Sequence, residues 1–223
     1  MMSIASGREI GFTSRRTQLR LVSQLRAQGI SDETVLTTIA QVPRHRFVEE
    51  ALQSRAYEDT ALPIGRQQTI SQPYIVALMT QQLVNGRAHM GKVLEIGTGC
   101  GYQTAVLATL FSRVYTIERI GSLLETARQT LQNLGVHNVS YRHADGTKGW
   151  PGRAPFDSII ITAAPGTVPR GLLDQLGDGG RLIAPEGDRY NQHLTRVVRQ
   201  GQRFRREIST PVVFVPMLSG TEE

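Results

Sequence analysis

Apolar residues recur at helical spacing at Leu19, Val22, Leu25 and Ile30, predicting a first helix that stops at Gly29, a residue that accepts the left-handed backbone of a helix end. Residues 1–14 carry no such period and are expected to form a frayed leader. A second helix is predicted at once, with Ser31 as its cap, Ile30 and Val35 as a hydrophobic staple, and Pro43 ending it just after Val42. Between residues 57 and 73 the polar positions with Pro63, Gly65 and Pro73 predict a long loop or lid, and so long a loop in a compact fold is usually functional. From Pro73 the spacing of Ile75, Leu78, Met79 and Leu83 predicts another amphipathic helix, ending near Gly86.

Beyond residue 91 the pattern changes to short β-rich runs: Val93–Ile96, Val114–Ile117, Val139–Arg142, Ile159–Thr162 and Leu182–Ala184. Helices are predicted between them over about 102–110, 121–134 and 168–176. Such alternation implies parallel strands joined by right-handed crossovers, with ligands at the carboxyl ends of the strands. Leu194–Val198 and Val212–Val215 read as closing antiparallel strands. The expected fold is α/β: a doubly wound, mostly parallel, seven-stranded Rossmann-like sheet with extra N-terminal helices. Behind a flexible leader (1–16), residues 17–223 are expected to form one domain, with a helical and lid part at 17–90 and a cofactor-binding core at 91–223.

The chain of 223 residues is long enough to bury one sizeable core, and its 39% hydrophobic and 20% charged residues are ordinary for a globular protein. It has no run of about 18 apolar residues and no signal-peptide pattern near Met1, so no membrane partner is expected. The single cysteine, Cys100, cannot form an internal disulfide, which fits a reducing cytoplasm, and no Cys/His cluster suggests a metal. A formal charge of +6 could favour nucleic acid. The excess lies in short runs, Arg15-Arg16, Arg44-His45-Arg46 and Arg203–Arg206, without the repeated aromatic interleaving of single-strand binders, and reads as solvated surface.

The candidate chemistry begins at Val93-Leu94-Glu95-Ile96-Gly97-Thr98-Gly99-Cys100-Gly101-Tyr102, a strand running through a glycine turn into a helix. Gly97, Gly99 and Gly101 follow G-x-G-x-G spacing, which departs from the dinucleotide fingerprint. Glu95 would sit badly under a pyrophosphate but well near the charged amino group of an amino-acid-bearing cofactor. Glu118 ends the next strand, where a carboxylate accepts from ribose hydroxyls, and Asp145 follows the third strand, where it could accept from an adenine amine. Three acids at three consecutive strand ends suit a cationic sulfonium nucleoside. Cys100, among glycines at a helix start, reads as a small packing residue. The place after the fourth strand holds Ile161-Thr162-Ala163-Ala164-Pro165, which lacks the Asn/Asp-Pro-Pro-aromatic tetrapeptide of base amine methylation and any cysteine for cytosine chemistry.

Three further segments, Val42–Val48, Ala56–Gly65 and Gln68–Pro73, resemble the protein-L-isoaspartate O-methyltransferase family. So do Leu94–Tyr102, Asp145-Gly146, Phe156–Ile160, Gly179–Leu182 and Phe214–Pro216, in colinear order over about residues 42–216. Thr69-Ile70-Ser71-Gln72-Pro73 is the most discriminating part. The resemblance implies S-adenosylmethionine as methyl donor, S-adenosylhomocysteine as its product, and the α-carboxylate of L-isoaspartyl residues in damaged proteins as acceptor. The ester then favours succinimide formation and partial return to an aspartyl linkage. It implies an active-site role for Ser71, and cofactor contacts from Thr69, Ile70, Ser71, Glu95, Gly97, Thr98, Gly99, Gly101, Glu118, Asp145 and Gly146. Thr69, Ser71, Val215 and Pro216 would meet the substrate. The expected protein is a cytoplasmic monomer that acts on isoaspartyl proteins without nucleic acid or membrane. Met217-Leu218-Ser219 departs from the family's frequent Leu-Thr, and the first 16 residues match nothing.

So sparse a catalytic set agrees with the chemistry. A carboxylate with a pKa near 4 is already ionised at neutral pH, so no general base is needed. What remains is to align one oxygen with the methyl group at about 3–3.5 Å. Hydroxyls of Thr69 and Ser71 and the N–H groups after Pro73 can orient an anion, which makes Ser71 a positioning donor. Standing alone, the same segment would read as a loop with a helix cap. Arg44-His45-Arg46 is assigned no chemistry, and His89, His137, His143 and His193 read as surface or core positions. The competing readings are a methyltransferase of RNA or small molecules and a basic nucleic-acid-binding module.

Overall fold

The computed structural model describes residues 15–84, 86–87 and 90–223, so the leader over 1–14 and the reading of His89 lie outside the described residues. Arg15 and Arg16, expected in the leader, already belong to α1 (Arg15–Ala27). Its inner stripe runs Gln18, Leu21, Val22, Leu25, at i, i+3, i+4, i+7. The expected Leu19 is 50% exposed instead, because Gln18 turns inward and donates to the Tyr57 hydroxyl at 3.1 Å. α2 (Glu33–Gln41) is capped by Asp32 rather than Ser31: the Asp32 carboxylate accepts from the N–H groups of Thr34 and Val35 at 2.9 and 3.1 Å. The backbone N–H of Ser31 is occupied by the Gln81 side chain.

The expected lid is more ordered than a loop. Two 3-10 turns, Arg44–Phe47 and Glu50–Arg55, lead to a hairpin in which β1 (Leu62–Pro63) pairs antiparallel with β2 (Thr69–Ile70). Leu62 and Ile70 point into the core, which fixes the register. The turn between them runs left-handed at Gly65, Arg66 and Gln67. α3 (Pro73–Val84) follows directly and buries Val76, Met79 and Leu83.

The remainder builds one seven-stranded sheet. Its elements are β3 (Lys92–Ile96), α4 (Tyr102–Leu110), β4 (Arg113–Glu118), α5 (Gly121–Asn133), β5 (Val139–His143) and β6 (Phe156–Ile161). They are followed by α6 (Arg170–Leu173), β7 (Leu176–Gly187), β8 (Gln192–Gln200) and β9 (Arg203–Val212). The strand order is β5-β4-β3-β6-β7-β8-β9, parallel as far as β7 and antiparallel beyond it. The sheet is therefore the mostly parallel α/β arrangement that the alternation predicts.

Two boundaries differ from expectation. The helix expected over 168–176 shrinks to the four residues of α6, because Leu176 is already paired with Phe156 at the start of β7. The last strand is Arg203–Val212, not Val212–Val215, and it takes in the arginine run read as solvated surface. It is the sheet's outer strand, mostly exposed along its length, where charged residues suit an edge that must not pair further.

Alternate residues of the central strands feed two cores. Val93, Val114, Ile160 and Ile183 pack with α1–α4, while Leu94, Ile96, Ile117, Ile159 and Leu182 pack with α6 and Trp150 on the opposite face. Each fully buried leucine or isoleucine here stabilises the fold by about 1.5–3 kcal/mol. The N-terminal helices thus share a core with the sheet and hold the β1–β2 hairpin over the carboxyl ends of its strands.

Candidate functional site

At the carboxyl end of β3 the backbone turns through Gly97, Gly99 and Gly101, all left-handed with φ of +97°, +53° and +90°. Gly97 has a second reason to lack a side chain: a Cβ there would run into the Thr162 hydroxyl, which donates to the Gly97 carbonyl at 2.6 Å. The turn is held from the next strand. One Glu118 oxygen accepts from the N–H of Gly99 at 2.9 Å, and the other accepts from Arg119 and Ile120 at 2.8 and 3.0 Å. Three charge-assisted bonds to backbone fix this carboxylate with one edge on the open space.

That space is a cleft of about 1000 Å³ between the glycine turn and the hairpin. Of the residues named from the sequence, Thr69, Ile70, Ser71, Gly97, Thr98, Gly99, Glu118, Gly146, Val215 and Pro216 line it. Glu95, Gly101 and Asp145 do not. Gly101 packs on α5, where a Cβ would come within 3.1 Å of Leu131. Asp145 caps the 3-10 turn Gly146–Lys148, accepting from the N–H and hydroxyl of Thr147 at 2.9 and 2.6 Å. Its partial burial would raise its pKa, but the Thr147 hydroxyl and the backbone of Gly220 and Thr147 hold it below the usual carboxylate value.

Glu95 lies beneath the wall. It is fully buried and accepts hydroxyl hydrogens from Thr104 and Thr116, both at 2.6 Å. Burial pushes its pKa up to about 8 against the opposing pull of those two bonds. With Thr116 donating to Glu95, the Thr116 oxygen is left to accept from Thr98 at 2.6 Å, so Thr98 turns its lone pairs to the cleft. Glu95 therefore reaches the cleft through two hydroxyls rather than directly. Burial likewise raises the Cys100 thiol to about 11, which suits a packing role.

Sequence reasoning missed Ile64, Gln68, Thr162, Met217 and Leu218, which also line the cleft. Thr162 follows β6 directly, so the rule that places ligands at strand ends could have found it. Met217 and Leu218 belong to a segment that crosses from β9 back to the loop after β4. There the Glu222 carbonyl accepts from Gly121 at 2.8 Å, its N–H donates to Arg119 at 2.7 Å, and its carboxylate pairs with the Arg119 side chain at 3.1 Å.

A second groove, of about 1600 Å³, opens on the outer side of the hairpin between Thr60, Ile75, Asn191 and Phe214. Thr69, Ser71, Thr162 and Val215 line both cavities, so this strip is a shared wall. Tyr190 and Val213 stand on the outer groove and are each 91% exposed, an unusual display of apolar surface.

The segment Arg44-His45-Arg46 is not a solvated turn. Arg44 is fully buried and His45 buried, while Arg46 alone faces solvent. Arg44 donates to the carbonyls of Ala56 and Ser71, each at 2.8 Å, and its guanidinium carbon stands 4.8 Å over the Tyr102 ring centre. No pattern signal marks it, since a lone arginine after Pro43 carries no periodicity. Among the described residues no group of three metal-binding side chains occurs, His137 and His143 are exposed, and His193 is half-buried.

A family profile described as protein-L-isoaspartate(D-aspartate) O-methyltransferase matches residues 16–222. A relative from Marinobacter nauticus, named protein-L-isoaspartate O-methyltransferase 1, is 58% identical over 212 residues, covering 95% of each chain. One from Halorhodospira halophila, named protein-L-isoaspartate O-methyltransferase, is 56% identical and covers 95% of this chain and 96% of its own. A solved structure of a protein-L-isoaspartate O-methyltransferase superposes with a TM-score of 0.82 at 27% identity, over 92% of this chain and 67% of the other. A Plasmodium falciparum structure in complex with S-adenosyl-L-homocysteine superposes at 0.78 and 24% identity, over 89% and 97%, and shares the fold.

Proposed function

Because the chain belongs to the protein-L-isoaspartate(D-aspartate) O-methyltransferase family, it is an S-adenosylmethionine-dependent protein carboxyl methyltransferase, and we propose that the strip Thr69–Ser71 is where its two reactants meet. It methylates the α-carboxylate of L-isoaspartyl residues and so initiates repair of damaged protein. Membership in the family decides against RNA or a small molecule as the acceptor. The observation that carries the site reading is the shared wall: one strip faces the glycine-turn cleft on one side and the outer groove on the other.

The residues of the cleft fit the cofactor. Gly97 and Gly146 line the cleft where a Cβ would collide with Thr162 and Ile96, so bare backbone is presented there, and Glu118 sets a carboxylate on the wall. Glu118 would accept from ribose hydroxyls, Thr98 would accept from the amino-acid end, and Gly146 beside Ile96 and Met217 would admit the flat base. Glu95 would act on that end through Thr116 and Thr98, Gly101 would hold the turn against α5, and Asp145 would support Gly146. When bound, the cofactor supplies a methyl group activated by a sulfonium, which leaves as a neutral thioether.

The chain's own residues then have a task of alignment. Ser71 and Thr69 would donate hydroxyl hydrogens to the acceptor carboxylate and hold one oxygen toward the cleft. Val215 and Pro216 would flank the bound peptide, and the extended chain on the outer groove would exclude water from the carboxylate. No side chain has to take up a proton, since the acceptor arrives ionised. The reading is completed by a monomer that acts on polypeptide in the cytoplasm without nucleic acid. Among the described residues no helix is long and apolar enough to cross a membrane.

The test is a pair of peptides that differ only in an isoaspartyl or aspartyl linkage, offered with labelled cofactor. Label in the isoaspartyl peptide alone is the expected result. Equal labelling of both peptides, or of neither by protein that binds S-adenosylhomocysteine, would overturn the assignment of the acceptor groove.

A further inference from the structure

Arg44 is fully buried, yet none of the ion pairs formed among the described residues includes it. Its guanidinium is satisfied by dipoles instead: the carbonyls of Ala56 and Ser71 at 2.8 Å, that of Thr60 at 3.5 Å, and the face of Tyr102. One nitrogen, Nη1, makes no hydrogen bond. Burial, the leading influence, lowers its pKa from the usual arginine value, and Tyr102, Cys100 and Asp59 oppose that; a guanidinium keeps its proton in proteins. A buried cation without a counter-ion costs free energy that a neutral donor would not, and tying three carbonyls together does not in itself require a charge.

Its position suggests what the charge is for. Ser71 and Tyr102, two of the groups it touches, both line the donor cleft, and Ser71 also lines the outer groove. The cation thus stands directly behind the wall onto which an anionic acceptor has to be pressed, buried away from the water that would otherwise screen it. The acceptor is a carboxylate before the reaction and an uncharged ester after it, so a charge in this place distinguishes substrate from product.

We propose that Arg44 positions the acceptor: it fixes the Ser71 peptide against the donor cleft, and its buried charge draws the substrate carboxylate, but not the ester product, onto that wall. The role rests on the reading of Ser71 as part of the acceptor site. Arg44 acts through Ser71 and is a positioning residue.

The test compares wild type with Arg44→Gln and Arg44→Lys. For each, affinity is measured for an isoaspartyl peptide and for its synthetic α-methyl ester, together with kcat, S-adenosylhomocysteine affinity and thermal melting. Arg44→Gln should lose at least about tenfold in affinity for the acid while the ester changes by less than about threefold. Arg44→Lys should keep the preference for acid over ester but lose at least about tenfold in kcat, because an ammonium cannot span the same carbonyls. Parallel losses for acid and ester, or unchanged kcat/KM in Arg44→Gln, would overturn the proposal. Should Arg44→Gln fail to fold, Arg44→Lys decides: wild-type kcat, or loss of the preference for acid, counts against it. Methylation by the wild type is scored first. Its absence would remove the acceptor site and this role together, whereas discordant variants of an active enzyme count against Arg44 alone.

Discussion

Thr116 donates its hydroxyl hydrogen to Glu95 at 2.6 Å, and the same oxygen lies 2.6 Å from that of Thr98 on the cleft. A buried acid thus stands one relay behind the ligand wall, and its titration should be visible in stability. The Glu95 carboxyl titrates near 4.5 in a free chain and near 8 in the fold, so between those values the folded state holds a proton that the unfolded state has lost. The stabilising contribution is complete below about pH 4.5 and fades as pH rises toward 8, by at most ~1.4 kcal/mol per pH unit. Glu95→Gln should flatten the decline of stability with pH over that window. Denaturant midpoints from pH 5 to pH 9 that fall in parallel for both proteins would contradict the assigned titration.

Glu118 holds the N–H groups of Gly99, Arg119 and Ile120 while facing the cleft. Glu118→Ala should therefore lower stability by about 1–3 kcal/mol and weaken S-adenosylhomocysteine binding by about 10- to 100-fold. Calorimetric titration at a temperature where the variant is fully folded separates the two effects. Affinity equal to wild type there would refute the ribose contact.

Ser71 engages Arg44 through its backbone carbonyl, and its hydroxyl is not needed for that tether. Ser71→Ala should leave the melting temperature and S-adenosylhomocysteine affinity near wild type while kcat falls about 10- to 100-fold. A matching loss of nucleoside affinity would place the hydroxyl on the donor rather than the acceptor.

Gly146 meets Ile96 so closely that a Cβ would collide with it, and Met217 lies 3.6 Å from that Cβ position. Gly146→Ala should push side chains into the cleft and weaken S-adenosylhomocysteine binding by about tenfold, with only about 1–3 kcal/mol of lost stability. An unchanged dissociation constant would show that the base sits elsewhere.

The central sheet was readable in the sequence because its strands are buried on both faces and spell nearly continuous apolar runs, and because Gly97–Tyr102 marks the turn from strand to helix with left-handed residues. Features set by tertiary contact were less readable. β9 hides among arginines because an outer strand has little core to face, and α6 is short because Leu176 is claimed by Phe156. Asp32 displaces Ser31 as a cap because the Ser31 backbone is held by Gln81, fifty residues away. In the site, most residues carried by contiguous motifs line the cleft, while Glu95, Gly101 and Asp145 are drawn behind it by packing and capping. Arg44 and Met217 are brought to it by long-range packing, of which no local pattern gives notice.

The chain's last described residues stitch back to a strand-end loop: Glu222 is clipped to Arg119 and Gly121. The rim after β4 is thereby braced by a segment more than a hundred residues further along the chain. The facing lip, the ribbon Leu62–Ile70, is held differently, by strand pairing and by Leu62 and Ile70 set into the core. The two lips of one cleft thus draw their rigidity from opposite ends of the chain, so loss of the Glu222 clip should slacken one wall and leave the other in place.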